Sequence, residues 1–227
     1  MKSREIFLNG CKEISKQFIE YGFRPIKYGQ YLKKISSDKD VIFEIYLQTS
    51  RYNSSASVSV KPQFSISSNE LKKWMIIQTK NENSTGLVYS NSIGYVSPYK
   101  SFKEWNLAGA TFNKNAQEIV RDIKLYIIPI MNIFEIKTNA IEYLKINGTQ
   151  FNEFTEKTLL PMGFVIYFGG KEDGEIFLKN YIETGKYRSR VKGFYKELET
   201  MENIDLNYNE FMGASELKLA FINGIKI

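Results

Sequence analysis

Toward its C-terminal end this chain crowds chemistry-bearing side chains together: Lys186, Arg188, Arg190, Lys192 and Lys196 are interleaved with Tyr187, Phe194 and Tyr195. Cations beside rings can neutralise phosphates and stack bases, so these cations form a candidate polyanion or single-stranded nucleic-acid site. A helix through the same residues puts Tyr187, Val191, Phe194, Tyr195 and Leu198 on one face. That arrangement buries the rings and leaves the cations as a solvated back. The helical pattern is the stronger of the two and predicts packed aromatics.

Catalytic chemistry has few other places to start. The chain has no histidine and one cysteine, Cys11, which removes Ser-His-Asp and Cys-His activation, histidine zinc sites and imidazole proton shuttles together. Ser-x-x-Lys, which sets a lysine base one helical turn from a serine nucleophile, occurs at Ser36/Lys39, Ser97/Lys100, Ser189/Lys192 and Ser215/Lys218. A chain so rich in both residues generates such pairs by chance, and no partner motif accompanies them. Glu172, Asp173 and Glu175 around Gly174, and Glu197, Glu199 and Glu202 after the basic segment, match no calcium loop. Gly169-Gly170-Lys171 lacks the spacing of a phosphate-binding loop. These groups are read as surface charge, and no catalytic residue, cofactor or metal site is assigned. Cys11 is expected to be a small buried hydrophobe.

Composition supports a folded core rather than disorder, with 43% hydrophobic and 25% charged residues. The formal net charge of +6 is carried mainly by lysine, a hydrated point charge that reads phosphates and base edges poorly, so the bias is mild. Tyrosine and phenylalanine, at 15 and 16, exceed the needs of a small core, and exposed aromatics favour protein interfaces. The longest apolar stretch, Leu125 to Ile136, is interrupted by Asn132 and Glu135 and falls short of the ~20 residues that span a bilayer. The charged N-terminal residues argue against a signal peptide. With a single cysteine, a reducing cytoplasm is the expected compartment, and no membrane partner is expected.

These side chains need elements to hold them. Phe7, Cys11, Ile14, Phe18 and Tyr21 recur at helical spacing until Gly22. Arg24 to Ile35 and Val41 to Thr49 read as a hairpin around Ser36–Asp40. Ala56, Val58, Val60, Pro62, Phe64 and Ile66 alternate with polar residues and predict a strand, at an edge or with a bulge because Pro62 lacks a donor. Ser68-Asn69 suits the cap of a short helix through Trp74. Leu87 to Ser97 reads as a strand with Leu87, Tyr89, Ile93 and Tyr95 in phase. Asn113 is the expected N-cap of a helix from Lys114 to Glu135, kinked at Pro129. The remainder reads as mainly helical, with a short hairpin of Phe164–Phe168 and Glu175–Leu178. The Gly22-Phe23 and Gly163-Phe164 pairs are read as ordinary helix-to-strand glycine caps rather than an internal repeat.

Tyr21-Gly22-Phe23, Ile45-Tyr46-Leu47-Gln48-Thr49-Ser50, the alternating 56–66 strand, Trp105 and Ile128-Pro129-Ile130 together resemble a family of uncharacterised bacterial proteins known as a domain of unknown function, over residues 1–135. The resemblance transfers no catalytic residue. It implies an association with toxin-immunity or interaction proteins. The expected fold is α+β: a mainly antiparallel sheet packed by the N-terminal helix and the long kinked helix over 1–135, followed by a mainly helical region over 136–227. Another protein is the expected partner, in an immunity or antitoxin-like role. Nucleic acid or another polyanion at 186–196 is the alternative, and an enzyme using carboxylate or lysine chemistry is the third. Oligomeric state is not legible in the sequence.

Overall fold

The computed structural model describes residues 2–184 and 188–227. In chain order the elements are α1 (Ser3–Lys16), β1 (Arg24–Ile26), β2 (Tyr31–Ile35), β3 (Val41–Thr49), β4 (Ser59–Ser68), α2 (Asn69–Thr79), β5 (Leu87–Ser92) and β6 (Trp105–Asn106). Then come α3 (Phe112–Asp122), a π-helical turn (Ile123–Ile127), α4 (Ile128–Ile133), α5 (Lys137–Asn147), α6 (Met162–Thr184), α7 (Arg188–Thr200) and α8 (Ala214–Ile222). The strands form an open antiparallel sheet in the order β1-β2-β3-β4-β5, with β6 paired to β4, and the class is α+β. Two compact units divide the chain, 1–66 with 90–132 and 67–89 with 133–227.

In the first unit a period of two builds the sheet. Val41, Phe43, Ile45 and Leu47 on β3 and Val60, Pro62, Phe64 and Ile66 on β4 are buried, while Ile42, Glu44, Tyr46, Lys61, Gln63 and Ser65 lie half-exposed on the opposite face. Each buried side chain of this size contributes roughly 1.5–3 kcal/mol. Phe7, Cys11, Ile14 and Phe18 of the N-terminal segment are buried, and α1 packs on α3. Burial pushes the Cys11 thiol up to about 12, so it is an inert core group.

The structure corrects several sequence readings. Arg24 to Ile35 is two strands, because Lys27, Tyr28 and Gly29 take positive φ of 49°, 58° and 83° and fold the chain back. Gly29 is required there: a Cβ would stand 2.7 Å from the Cys11 carbonyl oxygen. Pro62 is on an interior strand, not an edge. The β6 ladder reaches only Ser59 and Val60, so the missing donor falls outside that pairing. Leu87 and Tyr95 are 38% and 48% exposed, and β5 gives way at Ile93 to a 3-10 turn, which breaks the expected phase. The long helix begins at Phe112, with Thr111 rather than Asn113 at its cap. Ahead of Pro129 the helix breaks its regular geometry in a π-helical turn, where the Ile128 N–H bonds to the Ile123 carbonyl five residues back.

In the second unit Ser68 caps α2 through a bond from the Leu71 N–H. The Phe164–Phe168 hairpin does not form, since α6 runs through both of its halves and only Gly170 departs from helical geometry, at φ 80° and ψ −169°. Gly22 ends a helical stretch with φ 83° whereas Gly163 opens α6, so the two Gly-Phe pairs are not equivalent. Phe134, Tyr89, Phe151 and Phe164 form an edge-to-face aromatic cluster at this unit's core. Among the described residues, no helix is long and apolar enough to cross a membrane.

Candidate functional site

Lys186 and Tyr187 lie outside the described residues, and Arg188, Arg190, Lys192 and Lys196 are exposed along α7. The rings between them are not available to a ligand. Phe194 and Tyr195 are 4% and 5% exposed and pack edge-on against Phe211 and Phe221. The Arg190 guanidinium already lies over the Phe211 ring, 3.9 Å from its centroid. Among the described residues of this segment, then, the cations face solvent without a stacking platform.

The chance-level Ser215/Lys218 pair is also not a nucleophile and base. The Ser215 hydroxyl donates to Asn209 Oδ1 at 2.6 Å and lies 3.1 Å from the Leu206 carbonyl. Lys218 Nζ, 2% exposed, reaches Glu210 at 2.7 Å and the carbonyls of Asp205 and Tyr208 at 2.9 Å each. This lysine is a buried post that gathers the 205–210 loop onto α8.

One polar constellation in the first unit escaped sequence reading. Glu118 and Asp122 stand one turn apart on α3, and the Tyr99 hydroxyl lies 2.7 Å from Glu118 Oε1 and 3.0 Å from Asp122 Oδ2. Arg121 braces the buried Asp122 at 2.7 Å, and the Lys103 ammonium sits over the rings of Tyr99 and Trp105. Burial, together with the two carboxylates, pushes Tyr99 well above its usual range. The same hydroxyl, opposed by burial, holds Glu118 below the usual glutamate value. Neither group is tuned toward neutrality as proton transfer at pH 7 requires. The cluster therefore staples the segment around Tyr99 to α3. The i, i+4 carboxylates were its sequence signal, but nothing in the chain announced Tyr99.

The half-exposed face of the sheet in the first unit carries the densest organised surface chemistry. Tyr31 and Tyr46 are cross-strand partners on β2 and β3, stacked with centroids 4.6 Å apart. Gln30 donates to the Tyr46 hydroxyl at 3.3 Å, and Gln63 to Gln48 at 2.7 Å. Lys27 lies over the Tyr31 ring at 4.7 Å and Lys61 over Phe102 at 4.2 Å. Tyr28 and Phe102, 78% and 56% exposed, flank this area. These residues fall in separate stretches of sequence, and only the strand register aligns them.

Among the described residues no group of three or more His, Cys, Asp or Glu is placed to hold a metal ion. No curated protein and no solved structure matches the chain. The family model described as Domain of unknown function (DUF4304) matches residues 14–133, which carry the sheet, the Tyr31–Tyr46 face and the Tyr99–Glu118–Asp122 staple. That span is more than half of the chain, and it includes most of the residues that carried the resemblance, so the protein belongs to the DUF4304 family.

Proposed function

We propose that this protein is a non-catalytic protein-binding protein and that the half-exposed sheet face around Tyr31 and Tyr46 is its interface. The observation that carries the reading is the occupancy of Tyr31. Tyr46 stacks on its ring and the Lys27 ammonium lies over the ring as well, so the surface on which a nucleic-acid base would stack is already in contact with this chain's own side chains. What the surface offers instead is a rigid pair of tyrosines, ordered side-chain amides and exposed ring edges. That chemistry suits a protein partner, for which aromatic side chains supply contact area at low entropic cost.

An immunity or antitoxin-like role is the finer form of this proposal, drawn from the resemblance, and the cytoplasm is the proposed compartment. Polyanion binding through Arg188, Arg190, Lys192 and Lys196, with Lys186, is the alternative. Exposed cations support it and buried Phe194 and Tyr195 weigh against it.

Quantitative capture from the lysate of the natural host, comparing wild type, Tyr31→Ala/Tyr46→Ala and Arg188→Ala/Arg190→Ala/Lys192→Ala, tests the assignment. A protein recovered by wild type should fall roughly tenfold or more with the tyrosine variant, the scale of interface hot spots, and stay level with the α7 variant. Co-purifying nucleic acid lost only in the α7 variant would replace this reading with the alternative.

A further inference from the structure

We infer that the second unit holds a binding site for a compact hydrophobic amine, its body lodged in a cleft beneath α8 and its ammonium group paired with Glu216. The cleft has a volume of about 290 Å³ and a divided lining, apolar at Leu71, Met75 and Leu219 and polar at Thr79, Asn83 and Thr85, with Glu216 as its ionisable side chain. Its floor passes over a glycine. A Cβ at Gly163 would lie 3.2 Å from Leu219 Cδ2 and 3.4 Å from Met75 Sδ, so these two side chains converge where the backbone is bare. The volume holds about ten water-sized groups, at the small end of ligand pockets.

Glu216 is what gives the cleft a preference. Its polar neighbours on α8 are engaged elsewhere: the Ser215 hydroxyl with Asn209 and the Leu206 carbonyl, and Lys218 with Glu210, Asp205 and Tyr208. Among the described residues no cation or side-chain donor is bonded to the Glu216 carboxylate. Burial, opposed only by the residue's own backbone N–H, pushes the carboxyl above the usual glutamate range. A carboxylate partly shielded from water beside leucine and methionine, with no side-chain donor bonded to it, gains from an arriving cation. A ligand that joins an apolar body to one ammonium satisfies the walls and the charge together. An acid of the same shape is repelled, and an alcohol gains a weaker, neutral-donor hydrogen bond.

The probes are n-hexylamine, n-hexanol and hexanoate, titrated into the full chain and followed by methyl-resolved NMR. The amine, charged near neutral pH like a lysine, should bind roughly tenfold or more tightly than the alcohol, the effect of one charge-assisted hydrogen bond. It should shift the methyls of Met75 and Leu219. Glu216→Gln should erase the amine's advantage while leaving the fold intact, and Met75→Phe, which places a ring in the same cleft, should block amine and alcohol alike. Equal affinity of amine and alcohol for wild type, discrimination that survives Glu216→Gln, or shifts confined to other methyls would overturn the assignment. None of these readouts depends on the sheet face, so this site and the protein-binding proposal stand or fall separately.

Discussion

The sheet face of the first unit and the α8 region of the second treat polar groups in opposite ways. On the sheet, the central chemically capable groups already have partners within the unit: tyrosine on tyrosine, glutamine on glutamine, lysine over a ring. On α8, two ionisable residues two positions apart diverge. Lys218 is buried with a carboxylate and two carbonyls around it, whereas Glu216 lines a partly apolar cleft and, among the described residues, has no side-chain partner. A surface whose groups are mutually satisfied is pre-organised to meet another surface without rearranging. An unsatisfied carboxyl is where a small ligand gains most. Charge counts would have ranked α7 above both, and the partners of each group reverse that ranking.

The largest expected effect comes from unmaking a satisfied site. Lys218→Met leaves two backbone carbonyls and the partly exposed Glu210 without their donor, and should destabilise the second unit by about 2–3 kcal/mol, the order for stripping the donor from buried acceptors. Urea unfolding followed by a probe in that unit measures it. A loss below about 1 kcal/mol would mean the 205–210 loop rearranges to solvate those groups, and the contrast with Glu216 would blur.

A smaller loss is expected in the first unit from Tyr99→Phe, about 1–2 kcal/mol for the hydroxyl shared by two carboxylates. Its pH dependence has a definite sign. Glu118 is held below 4.5 in the folded state by Tyr99, so that part of the stability is present above 4.5 and is lost as pH falls through the depressed value. Tyr99 itself is raised above 10.0, so its share is present below that value and fades as pH rises past it. The stability gap between wild type and variant should therefore be widest in the neutral range and narrow toward both ends. A gap independent of pH would show that the hydroxyl is a packing group only.

How much of this was written in the sequence depends on whether the determining force was local. Periodicity of two exposed β3 and the Val58, Val60, Phe64 and Ile66 stripe, because burying one face of a sheet requires it. The same local logic failed where long-range packing decides. Left-handed Lys27 and Tyr28 carry no turn signature, and they split the Arg24–Ile35 run. Phe164–Phe168 is apolar enough to read as a strand, yet it is a helix buried by its own unit, a case in which pattern cannot separate the two. At the surface, the cations of α7 were visible as composition, and the burial of Phe194 and Tyr195 followed from helical spacing. The Tyr31–Tyr46 stack needed a strand register, and the Glu216 cleft needed three separate helices and the segments that link them to come together around one carboxyl. Neither has a spacing along the chain.

The smallest expected effect is also the one that most sharpens the contrast on α8. In the absence of ligand, Glu216→Gln should leave the protein as stable as wild type or slightly more so near pH 7, by less than about 1 kcal/mol given that the side chain is only partly shielded from water. Loss of a charge is normally neutral or harmful, so a gain is diagnostic. The reason is linkage: a carboxyl whose folded pKa is raised above 4.5 contributes stability below that value and loses it as pH rises through the raised value, because the unfolded chain ionises more easily. Wild type should therefore lose stability relative to Glu216→Gln between about pH 4 and the neutral range, with the two profiles converging on acidification. Chemical denaturation of both proteins across that range, without and then with n-hexylamine, reads the charge and the site in one series. The amine should restore wild type toward or past the variant by mass action, and leave the variant where it was. Parallel pH profiles would instead place the Glu216 carboxylate in contact with water, and the cleft would lose the feature that distinguishes it from the self-satisfied face of the sheet.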